Sequence, residues 1–168
     1  MNILVLCMPS ETIYFYDYSY SELEKKQHMQ YFAFRTMAQD VESGGKTNFI
    51  IQNAGQVSFP WAWPGSTVFT SSDFETWRRV LNTSYDRETG YLKWTVDNDP
   101  STSIRYFAYF PPYSYERHLK LISQCARAEG ATVRSLGLSL DGREMDCITV
   151  GTGPLQAWIV HRQHPGTS

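Results

Sequence analysis

The stretch RYFAYFPPYSYERH, residues 105–118, decides how the chain divides. Apart from Arg105, its first six residues are apolar on both faces of an extended chain, which predicts a central β-strand. The two prolines that follow cannot donate a ladder hydrogen bond, so we expect the strand to end there. Ser114 is a residue type that caps helices, and a helix is predicted directly after it. We therefore predict one domain at residues 1–111 and a second at residues 112–168.

The residues before this boundary have the pattern of many short strands separated by turns. Leu92, Trp94 and Val96 alternate with polar residues, which predicts a strand with one buried face. Residues 48–51 form a compact apolar run that ends at an Asn-Ala-Gly turn signal. The aromatic share of 15% also favours β structure. These features predict a mainly β chain whose N-terminal domain is an antiparallel β-sandwich.

The residues after the boundary have the pattern of one helix followed by strands. The helix is predicted to start at Ser114 and to stop at Gly130. An Asp-Gly pair between apolar segments predicts a hairpin, and a short buried strand is predicted at residues 156–161. One helix and three strands leave open sheet edges, so this α/β segment is expected to be incomplete. The predicted apolar face of the helix consists of Tyr115, Leu119, Ile122 and Ala126, and the predicted hairpin strands are residues 132–138 and 144–150.

The charge and cysteine patterns limit the possible partners. The chain has 15 basic and 17 acidic residues, a formal net charge of -2, and no block of one sign. We therefore expect no binding to nucleic acid or to a membrane. Cys7, Cys125 and Cys147 are far apart, which indicates neither a disulfide framework nor a thiolate zinc site. A reducing cytoplasm is the expected location.

The segment FPWAWPG, residues 59–65, admits two interpretations. Trp61 and Trp63 could stack on a sugar or a peptide, because aromatic faces offer flat apolar area with a polar edge. Alternatively, the segment could plug one end of the sandwich, since large aromatic side chains dominate core burial. We favour the second interpretation.

The histidines and carboxylates do not by themselves define a catalytic site. His118 is expected on the surface or on a helix face, and Glu144 and Asp146 on one solvent-facing side of a strand. His164 follows the last predicted strand, where ligands gather in α/β sheets, but catalytic zinc takes three protein ligands. His161 would point to the opposite face of an extended chain, so a site shared with His164 is not favoured. Local spacing leaves the function open.

Five segments, taken in chain order, carry a resemblance to a known family. They are QNAGQVSFP at residues 52–60, YFAYF and PYSYERH within 106–118, LSLDGREMD at 138–146, and RQHPG at 162–166. In these segments the chain resembles the cytosolic branch of the zinc metallocarboxypeptidases, whereas its first 25 or so residues depart from the usual beginning of that family. The resemblance implies a β-sandwich domain followed by an α/β carboxypeptidase domain, with zinc as the cofactor.

The resemblance also locates a departure from the family's metal site. The family's motif is His-Pro-Gly-Glu, in which the histidine and the glutamate both bind zinc. His164 matches the histidine, but Thr167 occupies the glutamate position, and a neutral hydroxyl is not a usual zinc donor. The family's third ligand, its substrate-binding arginine and its catalytic glutamate would lie beyond residue 168. We therefore expect this chain alone to be inactive and to bind no zinc tightly, and we interpret its ending as a truncation.

Two functions follow as hypotheses. In the first, the chain is the N-terminal portion of a cytoplasmic zinc carboxypeptidase that hydrolyses C-terminal residues, with glutamate as a candidate, from peptides or proteins. Its partners would then be the substrate's C terminus and, within the molecule, the missing catalytic domain. In the second, the chain is a non-catalytic β-sandwich module that binds a peptide or protein partner through Trp61 and Trp63.

Overall fold

The computed structural model describes residues 4–7, 12–15, 30–38 and 45–161 of the chain. The chain forms two compact units, Met1–Pro112 and Tyr113–Ser168, which we call the first unit and the second unit. The strands of the first unit are β1 (Leu4–Cys7), β2 (Thr12–Phe15), β3 (Ala33–Ala38), β4 (Lys46–Ile51), β5 (Val68–Ser71), β6 (Arg78–Val80), β7 (Ser84–Asp86), β8 (Tyr91–Asp97) and β9 (Ile104–Ala108).

These strands form two sheets. One sheet has five strands in the order β1-β3-β9-β5-β6, and the other has four in the order β2-β4-β8-β7. Most neighbouring strands are antiparallel, and the prediction of a mainly β fold with antiparallel sheets is confirmed. The first two strands are exceptions, because β1 pairs with β3 and β2 pairs with β4 in parallel. Alternation of apolar residues cannot reveal this, since it reports which face is buried and not the direction of the neighbouring strand.

An aromatic core lies between the two sheets. In the four-stranded sheet Phe49 lies opposite Trp94, and the two rings are stacked at 5.3 Å between centroids. In the five-stranded sheet Phe34 lies opposite Phe107. The Phe49 and Phe107 rings meet across the core at 4.6 Å, which joins the sheets into a sandwich. Burial of each large aromatic side chain contributes roughly 1.5–3 kcal/mol, so this cluster is the main stabilising feature of the unit.

The loop after β4 crosses the turn between β7 and β8 at very short range. The Gly55 amide donates to the Gly90 carbonyl at 2.8 Å. A Cβ atom placed on Gly55 would lie 3.0 Å from the Gly90 Cα atom, closer than nine in ten real Cβ contacts. Gly90 has a φ of +71°, a left-handed conformation that glycine adopts without steric cost. The close approach therefore disfavours a side chain at Gly55, and the positive φ favours glycine at position 90.

The second unit contains one helix and one antiparallel hairpin. Helix α1 spans Tyr115–Cys125, and the hairpin consists of β10 (Ala131–Leu138) and β11 (Glu144–Val150). Ser114 caps the helix as predicted, since its hydroxyl accepts the Arg117 amide at 3.3 Å. The helix nevertheless ends five residues before Gly130, the predicted stop.

The predicted apolar face of α1 is partly wrong. Leu119 is exposed, whereas the less exposed helix residues are His118, Ile122 and Cys125, spaced by four and three. The less exposed face of the helix is therefore not the face predicted from its apolar residues, but one rotated toward His118 and Cys125. The reason is a polar contact: His118 bonds to a carboxylate on β11, and this contact turns His118 toward the hairpin.

The predicted buried strand at residues 156–161 is wrong in both respects. These residues form no strand, and Trp158, Ile159 and Val160 are all exposed. A strand requires a neighbour that accepts its backbone hydrogen bonds, and within residues 113–161 the only ladder is the one between β10 and β11. Across the described part of the chain, no helix has the length and apolarity needed to cross a bilayer.

Candidate functional site

The residues predicted to bind metal lie at the end of the chain. His164 and Thr167 fall outside the described residues, so the structure gives no geometry for them. His161 is the last residue described, and it is exposed. Among the described residues, no group of three or more histidine, cysteine, aspartate or glutamate side chains comes together in a way that could hold a metal ion. The described part of the chain therefore does not supply the three protein ligands of a catalytic zinc site.

His118 and Asp146 form an unpredicted pair in the second unit. His118 Nε2 lies 2.8 Å from Asp146 Oδ2, and their side chains are 31% and 13% exposed. The expectation that Asp146 faces solvent is therefore wrong. The Tyr115 ring stacks on the imidazole at 6.1 Å between centroids, and the Tyr113 ring meets it edge-on at 6.5 Å. This pair connects α1 to β11.

Charged and aromatic side chains surround this pair. The Arg143 guanidinium lies 4.6 Å from the centroid of the Tyr115 ring, on the side of the helix start. The pKa of Glu116 is lowered by a hydrogen bond from its own backbone amide, then by the Ser114 hydroxyl, with a smaller contribution from Arg143. Glu144, also predicted on a solvent-facing side, is exposed and accepts a hydrogen bond from the Ser135 hydroxyl. The cluster stabilises the packing of helix on hairpin, and one imidazole with one carboxylate is too few ligands for zinc.

A signal for this pair was present in the sequence. His118 and Ile122 are four residues apart, so they lie on one face of a helix. Asp146 and Ile148 are two residues apart, so they lie on one face of a strand. Ile122 and Ile148 thus marked the less exposed faces of the helix and of the strand, and each of these faces also carries one polar residue, His118 or Asp146. Predicting the contact between His118 and Asp146 would also require the rotation of the helix about its axis relative to the hairpin. No local sequence pattern determines this rotation.

The aromatic segment at residues 59–65 places its two tryptophans in different environments. A single 3₁₀ turn at Pro60–Ala62 separates them. Trp63 is 2% exposed and lies in the core, and its indole Nε1 donates to the Ala54 carbonyl at 2.8 Å. Its ring meets the Tyr109 ring edge-on at 4.8 Å. Trp63 therefore fills the end of the sandwich and is inaccessible to a ligand.

Trp61 lies on the surface. Its side chain is 72% exposed, and the neighbouring Phe59 is 50% exposed. The two rings meet edge-on at 5.3 Å between centroids, a favourable geometry for an aromatic pair. We call these two side chains the aromatic ridge. Of the two tryptophans predicted as binding residues, Trp61 is the one that a partner can reach.

A buried glutamine holds the ridge in place. Gln30 Nε2 donates to the Phe59 carbonyl at 3.1 Å, and the Phe59 amide donates to Gln30 Oε1 at 2.9 Å. Burial raises the pKa of Tyr109, and a hydrogen bond with the same Gln30 side chain opposes this shift. Gln30 thus ties the backbone of the ridge to the core aromatic residues, so the exposed rings stand on a fixed support.

Comparison with known proteins shows which class this architecture belongs to. Two solved structures similar to this chain are metallo-carboxypeptidases, from Burkholderia cenocepacia and from Pseudomonas aeruginosa. The first is 28% identical with a TM-score of 0.62, over 77% of this chain and 32% of its own. The second, solved with (2-guanidinoethylmercapto)succinic acid, is 30% identical with a TM-score of 0.59, over 91% of this chain and 36% of its own.

The family model for the cytosolic carboxypeptidase N-terminal domain matches residues 8–110, and the chain belongs to this family. The predicted resemblance to the metallocarboxypeptidases is thereby confirmed. An uncharacterized protein of Zymomonas mobilis subsp. mobilis is 41% identical over 117 residues, which are 70% of this chain and 30% of that protein. The chain thus spans about a third of the length of the relatives that it matches.

Proposed function

We propose that this chain is the N-terminal portion of a cytoplasmic zinc carboxypeptidase that releases C-terminal residues from peptides or proteins. The observation that carries the proposal is the family match over residues 8–110, in a chain whose solved neighbours are metallo-carboxypeptidases. The motif around His164 supports it, because its histidine, proline and glycine agree with the family's zinc motif. Glutamate is our candidate for the residue released.

The residues of this chain do not fit a complete zinc site. Thr167 supplies a hydroxyl where the family has a carboxylate, and the described residues contain no cluster that could replace it. In the longer enzyme, zinc would polarise the scissile carbonyl and activate water. We therefore propose that residues 1–168 alone neither bind zinc tightly nor hydrolyse peptides, and that the catalytic domain completes the site.

The test begins with the gene. Sequencing downstream of codon 168 should reveal an open reading frame that encodes a further histidine ligand, a carboxylate ligand in place of Thr167 and a catalytic glutamate. The longer product should bind zinc stoichiometrically and release glutamate from a peptide ending in glutamate, with the activity lost to a chelator. The 168-residue chain, assayed in parallel, should do neither. Zinc-dependent hydrolysis by the 168-residue chain would contradict its proposed inactivity, and an inactive longer product would contradict the proposed enzyme.

A second function is a binding module, and the exposure of the aromatic ridge favours it. Exposed tryptophans are enriched at the energetic centres of protein interfaces. In this case Trp61 would bind a peptide or protein partner without any chemistry in the same molecule. Loss of partner binding in Trp61→Ala with unfolding unchanged would support this function, and an inactive full-length gene product would make it the better explanation.

A further inference from the structure

The aromatic ridge stands in an unusually uncharged part of the chain. Residues 47–72 contain no aspartate, glutamate, lysine, arginine or histidine, although 19% of the whole chain is charged. Depletion of charge together with enrichment in aromatic residues characterises the centres of protein interfaces. A ligand that is recognised through its charge, such as an acidic peptide, would find no counter-charge within this segment. The composition therefore favours a neutral, apolar protein surface as the partner.

The ridge is also held ready for binding. Gln30 fixes the Phe59 backbone through two hydrogen bonds, and Trp63 anchors the other side of the turn in the core. The Trp63 amide donates to the Pro60 carbonyl at 3.3 Å, which closes the turn between the two tryptophans. A ring on a fixed support loses little conformational entropy when it becomes covered, so more of its buried area appears as affinity.

We propose that the aromatic ridge docks onto a neutral apolar surface of the polypeptide that follows residue 168 in the full-length protein, with Trp61 as its anchor. This proposal rests on the proposed function, which requires such a polypeptide. The relatives supply the argument for the occupant: the matched stretch is only 30–36% of their length, so in a protein of that length about two thirds of the polypeptide is available to cover the ridge. Interfaces within one chain commonly bury enough area to include two such rings.

Radical footprinting with mass spectrometry tests the docking directly. The 168-residue chain and the full-length gene product are oxidised side by side, and the rate at Trp61 is compared. We expect oxidation of Trp61 to be at least about tenfold slower in the full-length product, because anchor residues of interfaces are fully desolvated. Trp63 is the internal control, since it is buried already and should stay unoxidised in both proteins. Equal oxidation of Trp61 in both would overturn the proposal.

Two further readouts separate the alternatives. Trp61→Ala should leave the melting temperature of the 168-residue chain unchanged and lower that of the full-length product; an unchanged full-length product would overturn the proposal. Protection of Trp61 that increases with the concentration of the 168-residue chain would assign the ridge to a second copy and would also overturn it.

Zinc content and peptide hydrolysis of the full-length product test the proposed function separately, so an active enzyme with an exposed Trp61 would refute the docking alone.

Discussion

Trp94 and Trp158 show how differently the two units treat large apolar side chains. Trp94 lies between two sheets and is 1% exposed, whereas Trp158 is 75% exposed. In the first unit each sheet buries the inner face of the other, and the aromatic rings meet across the gap. In the second unit one helix lies against one hairpin, and none of the residues described there is buried. The first unit has a core of its own, and the second unit has only the beginning of one.

The largest expected effect comes from the core of the first unit. Replacing Trp63 with alanine removes a buried ring and its hydrogen bond to Ala54, which should cost roughly 3–5 kcal/mol of unfolding free energy. Trp61→Ala is the matched control, two residues away, and its cost should stay within about 0.5 kcal/mol because the ring is exposed. Urea unfolding followed by circular dichroism measures both. Similar losses in the two variants would show that our assignment of core and surface is wrong.

A smaller effect is expected at the glycine crossing. Gly55→Ala would push a Cβ atom against the Gly90 backbone, which cannot yield as a flexible side chain would. Overpacking of this kind typically costs about 1–3 kcal/mol, so we expect a lower urea midpoint with an unchanged slope. Gly153→Ala is the control, because nothing lies within 4 Å of its Cβ position. A Gly55→Ala protein as stable as the wild type would mean that the loop can move away from the turn.

The pair in the second unit should have a more modest effect. His118→Ala and Asp146→Ala each remove the 2.8 Å contact between helix and hairpin. Because both side chains are partly exposed, each substitution should lower the stability of the second unit by about 1 kcal/mol. Amide hydrogen exchange within α1 should then become roughly fivefold faster. Lys120→Ala, on the exposed side of the helix, serves as control. The double variant should cost less than the sum of the single variants; strict additivity would show that the two residues do not interact.

The smallest expected effect concerns pH. The pKa of Asp86 is lowered from 3.8 to about 2, first by the Thr89 hydroxyl and then by the backbone amides of Thr89 and Glu88. A lowered pKa in the folded state means that the carboxylate stabilises the fold above pH 3.8, and that this stability is lost as pH falls toward 2. Asp86→Asn should therefore lose less unfolding free energy than the wild type over this interval. If the unfolding free energies of the two proteins fell equally as the pH was lowered, the lowered pKa assigned to Asp86 would be contradicted.

Much of the first unit could be predicted from its sequence because burial on one face leaves a period-2 pattern. Leu92 and Trp94 marked an inward face, and the structure buries both. The RYFAYF run predicted a strand at residues 105–110, and β9 occupies Ile104–Ala108. In the second unit, the Asp-Gly pair likewise predicted the turn between β10 and β11, where Gly142 has a φ of +73°. Each of these patterns depends only on residues that are close in sequence, so it can be recognised without knowledge of the tertiary structure.

The remaining features depend on partners distant in sequence. The apolar run at residues 156–161 has strand composition, but no neighbouring strand pairs with it within the described residues. The contact between His118 and Asp146 joins residues 28 positions apart, and it depends on how the helix lies on the hairpin. Within one aromatic segment, Trp61 and Trp63 have identical chemistry and opposite environments. Only the turn between them, fixed by Gln30 and the core, decides which one faces the solvent.

Native-state amide hydrogen exchange of the 168-residue chain tests the central contrast most directly. We expect the core strands β4, β8 and β9 to exchange only by global unfolding of the first unit, since they contain the most deeply buried residues. Residues 113–161 should exchange orders of magnitude faster, or the chain should associate through their exposed apolar side chains. Uniformly slow exchange in both units of a monomeric chain would show that the second unit is complete by itself, and it would contradict the account.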